Sequence, residues 1–359
     1  APSPELRPFY SQELAWEECA SDAGAECSTL TVPLDYAEPE GETIDLALLR
    51  NPVADGGERV GSLVVNPGGP GAPGTEYAAL SDFVFRPAVT QAFDVVGFDP
   101  RGTGASAPVD CLPDDRVDAL YAADPAPDSA AERRTLTALY DEVGEGCRAD
   151  LPVAPHVSTA DAARGIDVLR AALGESTLTY FGASYGTKLG ATYADEFPDR
   201  VGRLVLDGGI DLSLSSRDVT LGQAGGFETA LTSYVEACVD GGDCYLGDDV
   251  DAGLATVADF LADVDEQPLP VADRELTPGL AFYGIARPLY AEQAWPQLDA
   301  ALGAALDGEG AGLLALADDY TSREPDGSYR DNASEAIYAV NCLDDPFALP
   351  VGQVAGQLG

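Results

Sequence analysis

The chain has 359 residues, 45% of them hydrophobic and 23% charged, the balance of a folded protein with a core large enough for one big α/β domain carrying an insertion, or for two smaller units. Its 62 acidic against 19 basic residues give a formal net charge of -43, a field that repels nucleic acid and anionic membrane surfaces, so neither is expected as a partner. No run of about 18 apolar residues is present, so no membrane span is expected, and the opening "APSPELRPFY" reads as a mature end left after removal of a signal peptide.

In chain order, "STLTVPLDY" (28–36) and "ETIDLALLRNPV" (42–53) predict two strands around an "AEPEGE" turn. "GSLVVNPGGPG" (61–71) predicts a short buried strand running into a Gly/Pro loop, and "FDVVGFDPRGTGAS" (93–106) repeats that form. A Pro/Asp-rich surface stretch follows over 107–155. "STADAARGIDVLRAALG" (158–174) has a Ser/Thr start, apolar spacing through Ala162, Ile166 and Leu169, and a Gly stop, which predicts a helix. Then come a strand "LTYFGA", a helix after Ser184, and a third buried strand "VGRLVLDGG" (201–209). Strands alternating with helices predict an α/β fold with a mostly parallel sheet, helices on both faces. From 211 to 340 helical periodicity runs almost throughout, with no buried strand. The expected organisation is therefore a six-stranded α/β core over 1–210, a helical cap over 211–340, and the start of a return to the core over 341–359.

Seven cysteines carry no C-x-x-C metal spacing, and no metal or organic cofactor is expected. Six fall into close couples, suggesting Cys19–Cys27, Cys111–Cys147 and Cys238–Cys244 disulfides and a secreted or cell-envelope location. Sequence does not fix this connectivity. Cys342 is left over.

Gly182-Ala183-Ser184-Tyr185-Gly186 fits G-x-S-x-G between a strand and a helix, the context of a nucleophilic serine on a tight turn. The helix start would aim free N–H groups at that serine. The competing reading is a small-residue turn that only lets helix and strand pack closely. An acyl-transfer serine also needs two N–H donors for its oxyanion. One comes from Tyr185; the other is expected from the "NPGGPG" loop, at Gly69 or Gly68.

Taken together, "VPLDYAEPEG", "NPGGPG", "FDVVGFDPRGTGAS", "YFGASYGTKLGATYADEFPDRVGRLVLDG" and "AVNCLDDP" resemble, in order, the secreted α/β-hydrolase peptidases of the tripeptidyl and prolyl aminopeptidase type, particularly the actinobacterial ones. The resemblance implies an α/β-hydrolase fold with Ser184 as nucleophile, Tyr185 with Gly69 (or Gly68) as oxyanion hole, and a cap that selects substrate. Glu228, in the cap stretch, is a candidate to hold a substrate ammonium, against the plainer reading of a solvated helix face.

One departure stands out. The family places its acid and histidine beyond the cap, whereas the one histidine here, His156, precedes the nucleophile and reads as a surface or packing residue. Asp207 stands where some α/β-hydrolases keep their acid, but in this family that position is structural. The base and acid are therefore expected outside this chain, on a further segment or a second polypeptide that also offers Cys342 a partner and covers the last sheet edge. Three functions fit: a serine exopeptidase acting on peptides with free N-termini, an esterase or amidase using the same site on small acyl substrates, and a binding module that lacks its base.

Overall fold

The computed structural model describes residues 2–20, 24–54, 56–148 and 151–345. Residues 346–359, most of the expected return to the core, lie outside them. Seven strands form one sheet: β1 (Glu17–Glu18), β2 (Glu26–Pro33), β3 (Thr43–Asn51), β4 (Gly61–Asn66), β5 (Phe93–Phe98), β6 (Leu178–Ala183) and β7 (Val201–Asp207), in the order β1-β2-β3-β5-β4-β6-β7. The early strands pair antiparallel, with β2 and β3 in unbroken register from Glu26↔Arg50 to Pro33↔Thr43. From β5 onward every pairing is parallel. β4 is buried along its whole length, which is why "GSLVVN" reads as a near-continuous apolar run rather than an alternation.

Two sequence expectations need correction here. The strand "VGRLVLDGG" is not buried: among the described residues β7 pairs only with β6, and Val205 and Leu206 are 56% and 40% exposed. Its apolar run fits a two-sided interior position, but among the described residues one side is open. The sheet also has a seventh strand, the two-residue β1, too short to leave a pattern.

The helix Thr159–Ala172 begins as expected, the Ser158 hydroxyl accepting from the Asp161 N–H. Its Ile166 and Leu169 are fully buried in a core shared with Leu30, Leu46, Val64, Val96 and Tyr180 of the sheet. The helix Ala333–Asp344 joins the same core through Ala336 and Val340. Asn332, just before it, donates to the Gly102 and Val109 carbonyls (both 2.8 Å) and accepts from the Gly104 N–H (2.9 Å). One side chain so pins the helix start to the loop after β5.

The chain divides into two compact units. The first holds the described parts of Ala1–Cys111, Cys147–Ser216 and Asp331–Gly359, and contains the sheet. The second, Leu112–Gly146 and Arg217–Arg330, packs helices around Val257, Phe260, Leu280, Leu298, Leu302 and Leu313. It takes in the helices Asp114–Ala122 and Ala130–Gly146, both from the stretch read as surface. A small hairpin, Leu269–Val271 with Arg274–Leu276, interrupts its helices and buries Leu276, contrary to the reading of 211–340 as free of buried strand.

Cys19–Cys27, Cys111–Cys147 and Cys238–Cys244 are disulfide-bonded, and Cys342 is an exposed free thiol. These bonds are compatible with an oxidising, extracytoplasmic compartment. No helix among the described residues is long and apolar enough to cross a membrane.

Candidate active site

At the end of β6 the chain turns through Ser184 into the helix Tyr185–Glu196. Ser184 has φ 52° and ψ -122°, a conformation that costs a non-glycine residue on the order of 1–3 kcal/mol. The neighbours explain how the turn closes. A Cβ on Gly182 would stand 2.2 Å from the Gly186 carbonyl oxygen, so only glycine fits there. The Tyr180 hydroxyl, fully buried, donates to that same carbonyl at 2.8 Å. Burial pushes the Tyr180 phenol well above its ordinary range, so it remains a donor.

Thr187 closes the first turn from inside, its N–H (2.9 Å) and hydroxyl (2.7 Å) both donating to the Ser184 carbonyl. The Ser184 N–H donates to the Asp207 carbonyl at 2.8 Å. Asp207 thus meets the serine through its peptide oxygen, not its carboxylate. With its backbone committed on both sides, Ser184 presents an exposed side chain whose hydroxyl has no hydrogen-bond partner among the described residues.

The "NPGGPG" loop lies directly against this turn. At Gly68, with φ +107°, a Cβ would come 2.7 Å from the Ala183 carbonyl oxygen and 3.0 Å from both Ser184 Cβ and the Tyr185 nitrogen. The Gly68 N–H is already spent on the side-chain oxygen of buried Asn66, at 3.0 Å. The Gly69 N–H makes no hydrogen bond among the described residues, and the Tyr185 N–H, first in its helix, has no carbonyl four residues back within the helix to take it. Beyond the loop, Thr75 donates twice to Asp99 (3.0 and 2.8 Å), anchoring the loop's far end to β5.

Ser184, Tyr185 and Gly68 come together, and Gly69 follows Gly68 in the loop, its nearest neighbours being Gly71 and Ala72 of that same loop. His156 does not join them through any hydrogen bond: its ring makes none among the described residues, and its carbonyl accepts from Arg101 at 3.1 Å. Glu228 lies in the second unit, exposed on the helix Ser216–Asp240, and its carboxylate forms no ion pair among the described residues. No group of three or more His, Cys, Asp or Glu among the described residues could hold a metal ion.

Sequence reasoning missed Thr187, Asn66, and a cluster beside the turn formed by Thr159, Lys188 and Asp344. The first had a readable signal, a threonine at the third helical position. The others meet only in the fold.

Residues 61–265 match a family described as alpha/beta hydrolase fold. A "Serine protease Hip1" from Mycobacterium tuberculosis (strain ATCC 25618 / H37Rv) is 37% identical over 364 residues, which take in 94% of this chain and 68% of that protein. A "Carboxylesterase B" from the same strain is 36% identical, with 94% and 67% covered. A "Tripeptidyl aminopeptidase" from Streptomyces coelicolor is 44% identical over 200 residues, 54% of this chain and 37% of its own length.

Proposed function

The chain belongs to the alpha/beta hydrolase fold family, and from that premise we propose that it is a secreted or cell-envelope serine exopeptidase that cleaves short peptides from free N-termini through an acyl-enzyme on Ser184. The observation that carries the reading is the strained turn at Ser184. Among the described residues the Ser184 hydroxyl has no hydrogen-bond partner, and neither the Tyr185 N–H nor the Gly69 N–H of the adjoining loop is committed. In the proposed reaction Ser184 Oγ attacks the scissile carbonyl, and its proton passes to a general base. The carbonyl oxygen, now an anion, rests on the Tyr185 and Gly69 amides. The amine leaves with a proton, and water then hydrolyses the ester.

Gly69 is preferred over Gly68 as the second donor because the Gly68 N–H is engaged by Asn66. The base and its acid are assigned to residues outside this sequence, on a further segment or a second polypeptide. The support is that His156 stands alone and hydrogen-bonds no part of the turn, and that the serine protease relative extends beyond the part it shares with this chain. The second unit would act as the cap, with Glu228 a candidate for holding the substrate ammonium.

An esterase acting on small acyl substrates is the second reading, favoured by the carboxylesterase relative. The test compares a chromogenic tripeptide bearing a free amine with its N-acetylated form and a simple acyl ester, in the complete enzyme, including the further segment or second polypeptide, and in its Ser184→Ala form. The exopeptidase reading expects the free-amine peptide to be preferred, and Ser184→Ala to lose activity by about 10⁴-fold or more. Equal rates on the two peptides, with the ester fastest, favour the esterase. Ligand capture without Ser184-dependent turnover would leave a binding module.

A further inference from the structure

Beside the turn, three elements of the first unit converge on one carboxylate. The Tyr185 side chain is buried, and its hydroxyl lies 2.6 Å from Thr159 Oγ1, at the first residue of the helix Thr159–Ala172. Thr159 gives Asp344 two hydrogen bonds: its N–H donates to Oδ1 at 2.9 Å, and its hydroxyl donates to Oδ2. Lys188 places Nζ 2.7 Å from the same Oδ2. Asp344 is the last residue of the helix Ala333–Asp344, and its side chain is 8% exposed. Tyr185 and Lys188 stand three apart on one face of the helix that follows Ser184.

Counting protons fixes the direction of this chain. A threonine hydroxyl has one hydrogen, and the Asp344 carboxylate, paired with Lys188, only accepts. Thr159 therefore gives its hydrogen to Asp344 and can only accept from Tyr185. Burial, and after it the Asp344 charge, pushes the Tyr185 phenol upward, so it keeps the proton it must donate. The order is Tyr185 to Thr159 to Asp344, with Lys188 closing the far side.

A buried phenol could have been a phenylalanine at no cost in packing. Here it is wired to a charge instead, and it belongs to the residue whose N–H the proposed mechanism needs. We propose that Asp344 is a positioning residue: through Thr159 and Lys188 it fixes the first turn of the helix after Ser184, and so the direction of the Tyr185 N–H. The proposal rests on the reading of Ser184 as nucleophile. Displacing an oxyanion donor is the kind of fault that costs rate without costing substrate binding.

The experiment uses the complete enzyme, with Thr159→Val (same shape, no hydroxyl), Thr159→Ser (hydroxyl kept) and Ser184→Ala. Two quantities are read: amide exchange of the segment Ala183–Leu189, and kcat and KM on the chromogenic peptide. Thr159→Val is expected to speed exchange of that segment about tenfold, and to lower kcat about tenfold with KM within about twofold. Thr159→Ser should restore both. A Thr159→Val enzyme with parental kcat overturns the proposal, and so does a loss of kcat that serine does not restore. If Ser184→Ala keeps parental activity, the nucleophile reading fails and exchange decides alone. Unchanged protection at Ala183–Leu189 then refutes the coupling of Asp344 to the turn, and a tenfold loss upholds it.

Discussion

Gly68 concentrates the demands placed on single residues here. It carries φ +107°, and a methyl group there would meet the Ala183 carbonyl, Ser184 Cβ and the Tyr185 nitrogen at 2.7–3.0 Å. These are backbone atoms and a Cβ fixed to the backbone, so no flexible side chain can yield. Gly68→Ala is expected to cost about 1–3 kcal/mol through its conformation alone, and to push the loop off the turn, lowering kcat about 10²-fold if the proposed oxyanion donor moves with it. Gly174 is the control: its φ is +75°, but nothing lies within 4 Å of its Cβ position. Gly174→Ala should lose stability and keep kcat. Denaturant midpoints and steady-state kinetics on both variants check this; equal kcat losses would mean that backbone strain, not contact with the turn, is what matters. The contrast also marks what was legible at this scale. The tight turn at Ser184 and the close approach of Gly68 were legible because their backbone requirements are local and stand in contiguous motifs. Asp344 is 185 residues from Thr159, and nothing in "CLDDP" announces that one of its two aspartates ends inside the fold beneath the turn.

At the scale of elements, the helix Thr159–Ala172 is held by more than its apolar stripe. Asp167, fully buried, accepts from the Tyr10 hydroxyl (2.6 Å), Arg170 Nε (2.9 Å) and the Tyr193 hydroxyl (3.2 Å), and also from Arg200. Replacing it removes the only carboxylate that pairs, among the described residues, with the Arg170 guanidinium, whose side chain is 8% exposed. Asp167→Asn should therefore destabilise by about 3–5 kcal/mol. Arg200→Gln, at 24% exposure, should cost about 1 kcal/mol or less. Urea midpoints test the pair, and a loss at Asp167 no larger than that at Arg200 would show that the buried carboxylate is not what holds this helix. Legibility at this scale followed apolar pattern strength. β2 to β6 and this helix were readable because burial on one or both faces left clear periods. β7 was placed too deep, because an apolar run cannot say whether a neighbour lies on each side. The helices Asp114–Ala122 and Ala130–Gly146 were passed over although Pro113 and Asp114–Asp115 supply start signals. Across seventeen residues the second of them buries only Leu139 and Val143, too thin a stripe to stand out from Pro/Asp-rich surroundings.

For the whole molecule, the excess of acid sets up a contest between two effects of salt. Arginines are largely committed: Arg164 to Asp161 and Glu196, Arg274 to Asp318, Arg323 to Asp118. Screening weakens such half-exposed pairs, each worth about 0–1 kcal/mol. It also relieves the mutual repulsion of the remaining carboxylates, which folding concentrates and unfolding disperses. With 62 acids against 19 bases the second effect acts on far more charges. Stability should therefore rise with sodium chloride, most steeply between about 0.01 and 0.1 M, where the screening length falls from about 30 to about 10 Å. A gain on the order of 1–2 kcal/mol would lift the unfolding midpoint of a chain this long by about 1–3 degrees. Lowering the pH from 7 to 5 at low salt should act in the same direction: burial, and after it the charges of Asp124, Glu132, Asp128 and Glu266, raise the Asp265 carboxyl, so folding favours its protonated form, and this pH effect should shrink at high salt. Scanning calorimetry across a salt and pH grid reads both. A midpoint that falls steadily with salt would mean that the ion pairs outweigh the repulsion, and that the acidic surface is organised around its few arginines rather than merely diluted by them.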